Sequence, residues 1–144
     1  MNRMHKILIL VLIASMIFSC NKLTDRHYRN SDASSGGFLD VQLDLNVDKT
    51  LTLTRIDQKV VSESEAGTSY EPVSHSTTGT WTISRGELYC EFNESIEFIN
   101  EAFLNSDFKT KGMIQDQNKI IIPISTDTIF IYGQPCIQTK TTTR

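Results

Sequence analysis

The sequence predicts an all-β, mainly antiparallel fold: a small barrel with one short helix, a two-sheet sandwich being the alternative architecture. Three observations carry this. Segments of alternating polarity recur along the chain, and short runs of turn residues separate them in pairs. Only Asn93 to Leu104 places its apolar residues at helical spacing.

The N-terminus comes first. Arg3, His5 and Lys6 precede Ile7 to Phe18, twelve residues interrupted only by Ser15. A membrane-spanning helix needs about 20 apolar residues, so this run is too short to cross. A basic start, a short apolar stretch and small residues at its end make a secretory signal peptide, expected over 1–19. Ile17-Phe18-Ser19-Cys20 resembles the lipobox of bacterial lipoproteins, an aliphatic residue, any residue, a small residue, then cysteine. In that family signal peptidase II cuts before the cysteine, which is then acylated. The resemblance implies lipidation at Cys20 and attachment to the cell envelope, at the outer membrane of a Gram-negative bacterium. Several acyl chains hold a bilayer stably where one does not.

Removing residues 1–19 from the 144 leaves 125, enough for one domain with its own core. Arg3 and Lys6 leave with them, so 12 basic residues face 17 acidic ones. No basic cluster remains, which argues against nucleic acid as a partner and against electrostatic attachment to anionic lipid. Cys90 and Cys136 then form an even pair in an oxidising compartment. Two readings stay open: a disulfide between them, or two buried free thiols. No metal site is expected, because no Cys/His set has ligand spacing. No cofactor motif occurs either.

Residues 20–37 are polar and end in Ser31-Asp32-Ala33-Ser34-Ser35-Gly36-Gly37, a composition that predicts a flexible tether. The barrel domain is expected over 38–138. In its first strand Leu39, Val41, Leu43 and Leu45 alternate with Asp40, Gln42, Asp44 and Asn46. Asn46-Val47-Asp48-Lys49 supplies a turn, and Leu51 and Leu53 resume the alternation among threonines, giving a hairpin with one wet face. Ser62 to Thr78 has almost no apolar content and reads as a long exposed loop. Trp81 and Ile83, the Arg85-Gly86 turn, and Leu88, Cys90 and Phe92 form a second hairpin. The helix follows, with Ile96, Phe98, Ile99, Ala102 and Phe103 on one side. Lys109 to Asn118 is polar and reads as loop. Ile120, Ile122 and Ile124 and then Ile129 to Ile131 flank Ser125-Thr126-Asp127, which predicts a third hairpin. Pro123 has no N–H for a ladder and belongs at an edge or bulge. Residues 139–144 read as a frayed tail.

From Val41 to Phe92 the order of alternating strand, Asp-Lys turn, threonine-rich strand, polar loop, Gly79-Thr80-Trp81 and Gly turn resembles the small lipocalin-like lipoproteins of Gram-negative bacteria. They carry a similar "L.L..DGT" hairpin followed by a "GTW.I..G.L" hairpin. Lys49 stands where their turn has glycine, and no Trp marks the first strand. The resemblance implies a lipocalin-like β-barrel and extracytoplasmic binding or accessory duties, not a defined reaction.

Chemistry in this chain is sparse. His27 falls in the expected tether and His75 in the expected loop, both as solvated surface. No nucleophile elbow, P-loop or dinucleotide fingerprint occurs. Glu63 and Glu65 lie in the same loop and read as solvated charge. The expectation is therefore a non-enzymatic protein. Trp81 has two readings: a core residue with its N–H bonded to backbone, or the floor of a ligand pocket. Two functions follow. One is a protein-interaction or accessory module using the 62–78 loop, with Tyr70, Pro72 and Val73 as contact points. The alternative is a lipocalin-like binder of a small apolar ligand. Core residues that are mostly large favour a filled interior and the first function.

Overall fold

Val41, Leu43 and Leu45 are fully buried while Gln42 and Asp44 between them are not, so the alternation read from the sequence is the inside and outside of a sheet. The computed structural model describes residues 24–30, 40–64, 67–105 and 107–139. Its strands are β1 (Arg26–Asn30), β2 (Asp40–Leu45), β3 (Thr50–Ser64), β4 (Gly67–Ser84), β5 (Glu87–Phe92), β6 (Ile114–Asp116), β7 (Lys119–Pro123), β8 (Thr128–Ile131) and β9 (Gln134–Thr139). A short helix α1 (Ile96–Ile99) continues as a π-helical turn over Asn100–Leu104. All strand pairs are antiparallel, in one nine-stranded sheet of order β6-β7-β5-β4-β3-β2-β1-β9-β8. The sheet curls into a half-barrel, so the two-sheet alternative is excluded.

The turns are made by the residues that the sequence offered. Asn46 N and Thr50 O close the β2–β3 turn at 2.9 Å, and Asp48 Oδ1 accepts from the Thr50 N–H at 3.0 Å. Lys49 adopts φ 70°, the left-handed conformation that a glycine would hold more easily. Arg85 and Gly86, at φ 52° and 80°, form the tight β4–β5 turn, and Tyr132 and Gly133, at 51° and 73°, do the same between β8 and β9. Gly79 is fixed by space instead. A Cβ there would lie 2.1 Å from the carbonyl oxygen of Glu91 on the neighbouring strand. Ser95 caps α1 by accepting from the Phe98 N–H at 3.4 Å, and Ile99, Ala102 and Phe103 seal one mouth of the half-barrel. Ile96, expected on the same buried side, is 46% exposed at the helix start.

Five expectations are corrected. The domain begins before residue 38: β1 lies inside the expected tether, pairs with β2 and β9, and buries Tyr28 completely. The two ladders satisfy the backbone of this strand on both sides, and Tyr28 is its one side chain in the core. The 62–78 loop is instead the end of β3 and much of β4, a long hairpin. Residues 109–118, expected as loop, contain the edge strand β6. The third hairpin does not form. β7 pairs with β5 and β6, whereas β8 pairs with β9, so Ser125-Thr126-Asp127 carries the chain across to the opposite edge of the sheet. The domain also runs through Thr139, which pairs with His27. Residues 1–23, which hold the expected signal peptide and Cys20, lie outside the described residues, as do 31–39 and 140–144.

The free edge at β8 is covered. Thr110, 5% exposed, accepts from the Phe130 N–H through its hydroxyl at 2.7 Å, and Phe108 stacks on Phe130 at 5.7 Å between ring centroids. This removes one β8 donor from the reach of a further strand.

Candidate interaction site

The inner faces of β3 and β4 change character along their length. On β3 the inward series is Leu51, Leu53, then Arg55 and Asp57; on β4 it is Trp81, Gly79, Thr77, then His75 and Val73. The core ends where Arg55 pairs across from His75. Above that point neither strand has another neighbour among the described residues. β2 pairs with β3 only as far as Ile56, and β5 joins β4 only from Gly79 onward. Residues 57–64 and 67–73 therefore form a two-stranded ribbon that leaves the half-barrel, with a bulge at Val61.

Both faces of the ribbon meet solvent, which is why its sequence is polar throughout. Its apolar residues are Val60, Val61 and Tyr70, at 44%, 51% and 56% exposure, together with Pro72, exposed, and Val73, half-buried. Val60 and Tyr70 are cross-strand partners, so they and Val61 gather near the middle of the ribbon. Of the expected contact residues, Tyr70 and Pro72 are thus displayed and Val73 is partly sheltered at the base.

At that base lies a cleft of about 370 Å³ lined by Leu53, Arg55, His75, Thr77, Glu94, Phe98 and Tyr132, among others. Arg55 organises it. Its Nε is 2.9 Å from Asp57 Oδ2, an ion pair too misaligned for a hydrogen bond. Its Nη1 reaches Glu101 Oε1 at 3.5 Å, and its guanidinium lies over the Tyr132 ring. His75 Nε2 stands 3.8 Å from the same Asp57 oxygen, and Thr77 donates to Glu94 at 3.0 Å. Burial pushes the Tyr132 phenol above its ordinary value, with the Arg55 charge opposing. Sequence reasoning missed Arg55. The available signal was a charged residue in phase with Leu51 and Leu53, an inward position that normally stays apolar.

Other expected positions separate from this site. Trp81 is 1% exposed and donates its indole N–H to the Asn46 carbonyl at 2.8 Å, so it is a core residue that fastens the β2–β3 turn. Cys90 and Cys136 are buried free thiols, and the bridge between them is absent. Burial pushes each thiol up to about 12, which makes them inert packing groups. His27 lies on β1, not in a tether, with Nδ1 2.6 Å from Asp44 Oδ1 and with Gln42 donating to the same carboxylate. Among the described residues no group of three His, Cys, Asp or Glu side chains is arranged to hold a metal. No helix among them is long and apolar enough to cross a membrane.

Comparison with known protein families, with curated proteins and with solved structures finds no match for this chain.

Proposed function

We propose that this chain is a non-enzymatic, lipid-anchored protein of the cell envelope, held at the outer membrane of a Gram-negative bacterium through Cys20, that works by contacting another protein. The observation that carries the reading is the ribbon of residues 57–64 and 67–73, whose strands pair only with each other among the described residues and which displays Val60, Val61 and Tyr70. A two-stranded ribbon adds little to the stability of its own domain, and edges that no described residue pairs offer backbone donors and acceptors for strand addition. The half-barrel interior is filled by Leu, Ile, Phe and Trp side chains, which weighs against an apolar ligand inside.

The test is a photo-reactive residue in place of Tyr70, expressed in cells, with the same residue in place of Thr82 on the outer face of β4 as control. A covalent protein adduct from position 70 and none from position 82 supports the interaction module. No adduct at position 70, together with an apolar molecule extracted from the purified protein, would transfer the reading to the lipocalin-like binder.

A further inference from the structure

The start of β1 and the ribbon lie at opposite ends of the half-barrel. β1 begins at Arg26, whose register partner is Leu45, next to the turn 46–49. Asp25 Oδ1 accepts from the Val47 N–H at 2.7 Å, which fixes the incoming chain to that turn. β3 leaves from the same turn at Thr50 and carries the ribbon away in the opposite sense. Five residues, 21–25, join Cys20 to β1. Fully extended they reach about 18 Å. The rise from Thr50 to Ser64 is about 45 Å at ~3.3 Å per residue. The leash is too short for the ribbon to fold back to the surface that holds Cys20 unless the whole domain lies on its side.

From this we infer that the end of the half-barrel bearing Val47 and the Arg85-Gly86 turn rests on the phospholipid surface, and that the ribbon points away from it into the aqueous space. The inference rests on the reading of Cys20 as the acylated residue. Charge separates the two ends. At the end bearing Val47, the exposed Lys49, Arg85 and Lys111 are matched by the carboxylates Asp25, Asp48, Glu87 and Asp127, so it carries no large net charge. A nearly balanced surface with an exposed Val47 is compatible with a lipid surface to which the acyl chains supply the affinity. The ribbon is not balanced. Residues 57–75 carry Asp57, Glu63, Glu65 and Glu71 against Lys59 alone. An acidic ribbon is repelled by anionic headgroups, so its exposed Val60, Val61 and Tyr70 suit a protein on the water side and not insertion into the bilayer.

The experiment uses the acylated full-length mature protein in vesicles of phosphatidylethanolamine and phosphatidylglycerol carrying a headgroup quencher. A fluorophore is placed at Val47→Cys or Ser125→Cys on one end, or at Thr68→Cys on the ribbon. The unsubstituted protein, whose Cys90 and Cys136 are buried, should take no label under native conditions. Flotation with the vesicles reads the anchor. The expected result is flotation, loss of emission at positions 47 and 125, and unchanged emission at 68. Flotation with equal loss at all three positions, or loss at 68 alone, overturns the orientation and leaves the anchor standing. Failure to float overturns the anchor and the orientation with it.

Discussion

The guanidinium of Arg55 lies 4.7 Å from the centroid of the Tyr132 ring, joining the strand that becomes the ribbon to the β8–β9 turn. The same turn is tied to the helical segment, because Tyr132 N–H donates to the Ala102 carbonyl at 2.6 Å. Glu101 of that segment also meets Arg55, so three distant parts of the chain converge where the core gives way to the ribbon.

Arg55→Leu keeps the apolar stem and removes the charge. It deletes the cation–ring contact and removes the Arg55 partner of Asp57, whose other ion-pair neighbour among the described residues is the exposed His75. An Arg side chain that is 26% exposed cannot be credited with the full strength of a buried pair. A loss of about 1 kcal/mol is expected. The check is a thermal melt against wild type, and an unchanged Tm would show that the cluster adds nothing to stability.

Gly79→Ala places a methyl group against backbone, which cannot swing aside as a side chain would. Either the β4–β5 ladder opens or β4 shifts. The expected loss is about 2–4 kcal/mol, measured by urea unfolding. A loss no larger than that of an exposed Thr82→Ala would contradict the close approach.

The ribbon can be removed at its root. Asp57 and Val73 are ladder partners, so replacing Gln58 to Pro72 with a two-residue Asn-Gly turn recloses the hairpin. Stability should change by no more than about 1 kcal/mol, because among the described residues the two deleted strands pair only with each other. Removing Ser62 to Thr78 instead takes away the residues facing Thr52 to Ile56, with the buried Thr77, and should unfold the domain. Matched circular-dichroism melts of the two deletions separate a projecting ribbon from a packed loop.

What the sequence disclosed and withheld follows from burial. Val41, Leu43, Leu45, Trp81, Leu88 and Phe92 each alternate with wet neighbours, so period two was visible in their strands. The ribbon has no dry face, so its strands carry no hydrophobic period and resemble a loop in composition. β1 offers a single buried residue, Tyr28, too few to form a pattern. The third hairpin does not form because β7 and β8, neighbours in sequence, are not neighbours in the sheet. A curled sheet lets β7 and β8, both half-buried with alternate Ile residues inward, serve opposite ends of the strand order. At the candidate site Tyr70 and Pro72 were legible as apolar residues among polar ones. Arg55 was not, because its partners Glu101 and Tyr132 lie far along the chain.

The two thiols give the chain an alkaline weakness. Burial pushes Cys90 from 9.0 up to about 12, and burial with the Asp40 charge beside it takes Cys136 from 9.0 to about 12. The folded state thus keeps two protons that the unfolded chain releases. A raised folded value means that this stability is complete below about pH 9 and is lost as pH climbs towards 12. Each thiol contributes a slope of about 1.4 kcal/mol per pH unit in that window. Tyr28, raised by burial, steepens it in the same direction. Urea unfolding at pH 7 and at several values above pH 9 should show stability falling with pH in wild type. The fall should be shallower in a Cys90→Ala/Cys136→Ala variant, whatever its lower starting stability. Parallel slopes in the two proteins would remove the thiols as the cause. Stability that drops on adding a reductant at pH 7 would show instead that the two sulfurs are bonded.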